Sequence, residues 1–464
     1  MAMNASDNNI LQLNEVTVAM VPWPEHGHLT PLFLLSRFIA SHNIPVHFLT
    51  LTARNQDLKI RLQGVRRNAT DKNLHFCDLS VPASESNKDV LLEKLGESIC
   101  ENCHELSKNT KRLVVIHDCL MITYIGDLHS IPNLTCYFFH SISSFVRYST
   151  LRQVIDIVDG DQDKLIEELG DEFPTVESTF GPNLEEYINE EREWKLSSGV
   201  IMNSFRELEG KYLDSLAIYA ENDKPLWCLG PFHMLLESST DIFNRTTQHV
   251  CLEFLDRQDV NSVIFVSFGT TTTLSQEQVN ELALGLEQSD HKFIWVVREA
   301  DDERMDLENN YEGKDGKIEL PAGFEERVEG RGMVVRNWAP QLEILGHPST
   351  GGFMSHCGWN SCMESISMGV PIASWPIHVD QPYNTVFITN VLKIGISVWN
   401  WTRREEIVPA TAIEKAVKTL MGTPEGDEMR QRAVELKNKI KNSVSHGGLA
   451  RKEMESFISN ITNN

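Results

Sequence analysis

"GGFMSHCGWNSCMESISMG", residues 351 to 369, decides how the chain is read. An apolar run ends at Ser355 and a helical pattern begins almost at once, so the joint reads as the carboxyl end of a strand passing into a helix. In an open parallel sheet, ligands bind outside that end of the strands. The first turn of a helix carries unpaired N–H groups and about half a positive charge, which suits an anion. Asn360 and Ser361 add donors there, Gly358 lets a ligand approach the backbone, and His356 follows the strand by one residue. A diphosphate fits these groups. Plainer readings exist for each: Ser361 and Glu364 form an S-x-x-E capping box, His356 is a structural histidine, and Trp359 is core. The segment as a whole favours a ligand.

The same alternation extends outward in both directions. Apolar runs at 16–21 ("VTVAMV"), 45–50, 74–79, 113–116 and 135–139 alternate with helical stretches such as "LTPLFLLSRFIASH" (29–42). The pattern restarts at 263–268, 292–297 and 332–337, and continues at 351–355, 371–375 and 395–399. Continuous apolar strands between helices predict parallel sheets covered on both faces. Ser275 and Gln278 predict a capping box at the helix after 263–268. The expected fold is α/β, with two doubly wound Rossmann-like domains facing a cleft. Residues 1–232 form the first domain, 233–250 a polar linker and 251–440 the second domain. Residues 441–464 are a C-terminal helix packing back on the first. The acidic stretch 299–317 reads as a surface loop.

A chain of 464 residues is long enough for two or three domains. Its 66 acidic residues outnumber 42 basic ones, for a net charge of −24, which opposes binding to nucleic acid or to an anionic membrane surface. The start, "MAMNASDNNILQLNE", lacks a secretory pattern, and no apolar run reaches the ~20 residues of a membrane span. Nine cysteines without framework spacing suit reduced thiols in the cytoplasm. Cys100 and Cys103 form a C-x-x-C with no second pair at zinc spacing, and read as two positions on one helix face.

The segment Trp338 to Gln381, "WAPQLEILGHPSTGGFMSHCGWNSCMESISMGVPIASWPIHVDQ", resembles without gaps the 44-residue signature of plant small-molecule UDP-dependent glycosyltransferases, family 1. The resemblance extends to "WPEHGHLTP" (23–31), "NSFRELE" (203–209), "LGPF" (229–232), "VSFGT" (266–270) and "PAGFEERVEGRGMVV" (321–335). It implies the GT-B fold, with the sugar donor in the C-terminal domain and the acceptor in the N-terminal one. On this resemblance Trp338, followed by Ala339, stacks on uracil, while Gln341 and Glu364 bind the ribose hydroxyls. His356, Gly358, Asn360 and Ser361 hold the diphosphate, with Thr270 or Thr271 assisting. Trp359, Asp380 and Gln381 surround the sugar, and Gln381 is more typical of glucose donors.

Transfer of a sugar to an alcohol needs a base, and a neutral histidine serves near pH 7. His26, His28 and His117 lie at strand ends in the first domain. In a 3-2-1-4-5 strand order, strands 1 and 4 are neighbours, with a crevice between their carboxyl ends. His28 follows strand 1 and Asp118 follows strand 4, so a carboxylate can fix the ring's tautomer. The family's "P-x-x-G-H-x-x-P" histidine matches His28 and its aspartate matches Asp118. Where relatives often carry glutamine, this chain has His26. No D-x-D pair ends a strand, so the scheme needs no metal and no cofactor beyond UDP-glucose as co-substrate. The helix end and His356 meet the leaving charge, and single-step displacement inverts the anomeric centre.

Within the family, "IPVHFLT", "VVIHDCLM", "YFFHSISSF" and "GDEMRQRA" resemble the cytokinin branch, the zeatin O-glucosyl- and O-xylosyltransferases. That branch also holds enzymes acting on flavonoids and other phenols. Trp23, His26, Met121, Phe139, Phe145 and His378 are the expected acceptor-pocket walls. Two further classes stand beside a transferase: a silent nucleotide-sugar-binding protein, which has no need of His28 and Asp118, and a dinucleotide oxidoreductase, which lacks its G-x-G-x-x-G here. The expected protein is a cytoplasmic monomer.

Overall fold

The computed structural model describes residues 13–62, 72–81, 87–159, 173–181, 197–219, 224–235, 249–269, 272, 274–297, 318–336 and 338–463. Most of the expected linker, the acidic loop at 299–317, and Thr270 and Thr271 lie outside the described residues.

Among the described residues, thirteen strands form two parallel sheets. The first holds β1 (Asn14–Val21), β2 (Val46–Leu51), β3 (Leu74–Leu79), β4 (Thr110–Asp118), β5 (Leu134–His140), β6 (Val200–Met202) and β7 (Leu226–Cys228), in the order β3-β2-β1-β4-β5-β6-β7. The second holds β8 (Val263–Ser267), β9 (Lys292–Val297), β10 (Gly332–Arg336), β11 (Thr350–Ser355), β12 (Ile372–Ser374) and β13 (Gly395–Ser397), in the order β10-β9-β8-β11-β12-β13. Each sheet therefore follows 3-2-1-4-5-6 in its own strand count, the first adding a seventh strand at the end, and the order reverses between its first and fourth strands. Ligand crevices open at such reversals, here β1/β4 and β8/β11. Strands β6 and β7 are not among the runs expected from the sequence, whereas the equally short β12 and β13 are.

The helices that position the site are α1 (His26–Ala40), α2 (Ser144–Asp159), α3 (Arg206–Tyr219), α4 (Gln276–Ser289), α5 (Gln341–Gly346), α6 (Trp359–Met368), α7 (Gln381–Val386), α8 (Pro424–Val444) and α9 (Leu449–Asn463). At α4 only half of the predicted capping box forms. Ser275 accepts from the Gln278 backbone N–H at 3.2 Å, but the Gln278 side chain exchanges two bonds with the Val408 backbone instead.

The expected domain boundary at 440 falls inside α8, and the chain turns only after Val444. Helix α9 then lies on the first sheet. Phe457 meets Tyr137 and Trp227 edge-on with ring centroids 5.5 and 5.1 Å apart, and Arg112 donates to the last carbonyls of the helix. Aromatic packing also joins the halves nearer the cleft, where Phe145 stacks on Phe387 at 5.0 Å and Phe173 meets Tyr383 at 5.4 Å. All nine cysteines are free. Among the described residues no helix is long and apolar enough to cross a membrane.

Candidate active site

At the β1/β4 crevice, the ring of His28 comes from the first turn of α1 and the carboxylate of Asp118 from the end of β4. His28 Nδ1 stands 2.8 Å from Asp118 Oδ2. The carboxylate is fully buried, whereas the imidazole keeps 20% of its surface exposed. A carboxylate only accepts, so Nδ1 carries the proton and Nε2 the lone pair. The other carboxylate oxygen accepts the Leu120 backbone N–H at 3.1 Å, which fixes its plane. Ser141 Oγ lies 3.0 Å from the same ring nitrogen.

The loop bearing Ser141 is anchored from below. Glu209 of α3 accepts the backbone N–H groups of Ser144 and Phe145 at 3.1 and 2.8 Å and the hydroxyl of Ser204. Burial pushes its carboxyl up to about 7. His117 faces the interior, with Nδ1 3.0 Å from the Asp118 carbonyl, and burial holds it down to about 4. His26 lies 4.0 Å from Asp57.

At the β8/β11 crevice the corresponding ring is His356. A Cβ added at Gly269 would come within 2.7 Å of its Cε1 and Nε2, and one at Gly358 within 2.5 Å of Nε2, so two glycines bracket the imidazole. The ring is buried, its Nδ1 has no hydrogen-bond partner among the described residues, and burial followed by the charge of His378 lowers it to about 3. A buried nitrogen with no described partner, between two glycines and beside the first turn of α6, has the chemistry to receive an anion. Cys357 and Val379 adopt positive φ of 64° and 56°. Left-handed backbone costs ~1–3 kcal/mol per such residue and gathers at ligand sites. One follows His356 and the other precedes Asp380.

Along the rim, Trp338 is 48% exposed and meets His249 edge-on at 5.7 Å, leaving a flat ring for a base to stack on. Gln341 Nε2 donates to Ser361 Oγ at 3.0 Å and to Glu364 Oε2 at 2.7 Å. Burial, with Glu343 nearby, pushes the Glu364 carboxyl up to about 7. Ala339 is buried behind this group.

Several expectations change here. Ser361 and Glu364 form no capping box: the N-cap of α6 is Gly358, which places Ser361 inside the helix. The Trp359 indole is buried, and its Nε1 donates to the Asn203 carbonyl at 2.6 Å. Asn360 Nδ2 donates to the Gly27 carbonyl across the cleft at 2.7 Å. Gln381 is buried and braces its own loop, accepting from the backbone of Ile377 and His378 at 2.9 and 3.1 Å. Asp380 accepts from Asn384 at 2.8 Å.

Of the expected acceptor walls, Met121, Phe139 and Phe145 are fully buried in the hydrophobic core. Trp23 is buried against Tyr124, and His378 is half-buried beside Gln381. A cavity of about 580 Å³ lies behind the 376–382 loop, lined by Pro382, Lys393, Trp399, Trp401 and Arg432, and contains none of the residues named for the site. Ser141, Asn203 and Gly269 were not assigned roles from the sequence. They lie in "YFFHSISSF", "NSFRELE" and "VSFGT", motifs whose presence was legible while their contacts were not.

Comparison with known proteins gives the class. Phytolacca americana UGT2, solved with UDP-2fluoro-glucose and pterostilbene, superposes with a TM-score of 0.73 at 27% identity, covering 97% of this chain and 100% of that one. A Polygonum tinctorium UDP-glucosyltransferase capable of glucosylating indoxyl gives 0.74 at 26% identity, covering 97% and 99%. Two Rossmann-like domains around such a cleft make this a GT-B glycosyltransferase using a UDP-sugar. The model described as UDP-glucoronosyl and UDP-glucosyl transferase matches residues 229–429, and that described as Glycosyltransferase, N-terminal domain matches 14–90 and 88–234. Zeatin O-glucosyltransferase of Phaseolus lunatus is 43% identical over the full length of both chains. Zeatin O-xylosyltransferase of Phaseolus vulgaris is 41% identical, covering 97% of this chain and 98% of its own. The chain belongs to the family 1 UDP-glycosyltransferases of plants.

Proposed function

We propose that this enzyme transfers glucose from UDP-glucose to the side-chain hydroxyl of a zeatin-type cytokinin, with inversion. One observation carries the reading: His28 bonded to buried Asp118 at 2.8 Å, at the cleft of a chain 43% identical throughout to a zeatin O-glucosyltransferase. His28 Nε2 takes the acceptor's hydroxyl proton as that oxygen attacks the anomeric carbon. The bond from that carbon to the diphosphate breaks, UDP departs, and an α-linked donor gives a β-glycoside. Asp118 steadies the imidazolium formed in the transition state. A base placed in this way contributes roughly 10²–10⁴-fold to rate.

Trp338 is assigned to the uracil, Gln341 and Glu364 to the ribose, His356, Gly358 and Ser361 with the first turn of α6 to the diphosphate, and Asp380 with the 376–381 loop to the sugar. The first domain receives the acceptor and the second the donor. Both walls of the cleft come from one chain, which supports action as a monomer, and nine free thiols support a cytoplasmic setting. Mass-spectrometric analysis of UDP-glucose and UDP-xylose with trans-zeatin, cis-zeatin, dihydrozeatin and a flavonoid panel tests the reading. Zeatin O-glucoside as the main product is the expected result. Glycosylated flavonoids with zeatin untouched would overturn the acceptor, and xylosides in excess would overturn the donor.

A further inference from the structure

The head of the donor helix and the first turn of α1 are joined by a closed ring of contacts, and one member of that ring has no role in the chemistry above. Asn203, at the end of β6, is buried. Its backbone N–H donates to the His140 carbonyl at 3.0 Å. Its Nδ2 reaches the Ser141 carbonyl at 3.5 Å and Asn360 Oδ1 at 3.3 Å, and its carbonyl accepts the Trp359 indole N–H at 2.6 Å. Asn360 Nδ2 then donates to the Gly27 carbonyl at 2.7 Å, and Ser141 Oγ sits 3.0 Å from His28 Nδ1. From His28 the path runs through Ser141, Asn203, Asn360 and Gly27, and returns to His28 through the chain.

Two features give this ring a direction. Pro31 lies inside α1 and has no N–H, so the Gly27 carbonyl four residues earlier lacks its helical donor and is open to Asn360. A carboxamide has one oxygen and one nitrogen end. With Asn360 Oδ1 held by Asn203, its Nδ2 must face Gly27, which leaves its second N–H for another acceptor.

We infer that Asn203 is a positioning residue, which fixes the carboxamide of Asn360 at the head of the donor helix relative to the His28 ring. The inference rests on the catalytic role proposed for His28. It acts on the geometry of transfer rather than on the hold on UDP, which is assigned to Trp338, Gln341, Glu364, His356 and Ser361.

The test measures kcat and KM for UDP-glucose as UDP release with acceptor present, UDP affinity by calorimetry and thermal melting, in the full chain carrying Asn203→Ala and Asn203→Asp. Aspartate nearly matches the volume of asparagine but sets an acceptor against Asn360 Oδ1, and thermal melting separates any cost of burying the carboxylate from the effect on transfer. The expected result is a 10- to 100-fold fall in kcat for both variants, with KM for UDP-glucose and UDP affinity of Asn203→Ala changed less than threefold. An Asn203→Asp enzyme with at least half of wild-type kcat overturns the inference, as does an Asn203→Ala enzyme losing kcat and UDP affinity by the same factor. A wild-type chain that releases no UDP from UDP-glucose overturns the underlying reading as well, so the two failures are distinguishable.

Discussion

The two crevices of this molecule share a strand order and each carries a histidine, yet they treat it in opposite ways. His28 is partly open and bonded to a buried carboxylate, so a positive charge on the ring has a partner waiting. His356 is buried between Gly269 and Gly358 with no hydrogen-bond partner at Nδ1 among the described residues, and is lowered to about 3, so it stays neutral. The first arrangement suits a group that gains a proton during the reaction. The second suits a neutral N–H donor facing an anion that brings its own charge. Topology alone supplies a place for a ligand, and the polar shell decides the chemistry done there.

The largest effect that can break this comparison is on turnover. His28→Ala should lower kcat by about 10³-fold, within the usual range for loss of a general base, while UDP affinity stays within threefold. Single-turnover kinetics and calorimetry check both halves of that statement; a parallel fall in UDP affinity would make the two histidines alike. His356→Ala should show the converse. Losing one hydrogen bond to a charged group costs ~1.5–3 kcal/mol, so UDP affinity should fall about 10- to 150-fold. Calorimetric titration with UDP reads it.

The smallest effect concerns pH. An unfolded histidine titrates near pH ~6.5, whereas His356 in the folded chain is lowered to about 3. Between these values the unfolded chain binds a proton that the folded chain refuses, so this residue's contribution to stability is flat above about pH 6.5 and is lost as pH falls. His117, lowered to about 4, acts in the same sense, and Glu209 and Glu364, raised to about 7, act in the opposite sense. Comparison with His356→Gln isolates the residue. The advantage of wild type over variant in urea midpoint should shrink between pH 7 and pH 5, and a constant advantage would show that His356 is not held neutral by burial.

Much of the fold was legible because continuous apolar strands and amphipathic helices carry their own period, as at "VTVAMV" and "GGFMS". The three-residue strands β6 and β7 were not, although β12 and β13, just as short, were. The positions of His28 and Asp118 in the sequence pointed to one crevice. Phe139 and Phe145 were misjudged because an aromatic near a strand end looks the same in sequence whether it lines a cleft or fills a core.

By itself the sequence determined the alternation of strands and helices, the two crevices and the kinds of side chain brought to them, because periodicity and residue chemistry are local. Only the tertiary structure decided which of those side chains face each other. Ser141 meets His28 across 113 residues, Asn203 meets Asn360 across 157, and Asn360 meets Gly27 across 333. A hydrogen bond demands its partner within about 3.5 Å, and no local pattern in the chain encodes a distance that only the packing of elements far apart in sequence creates.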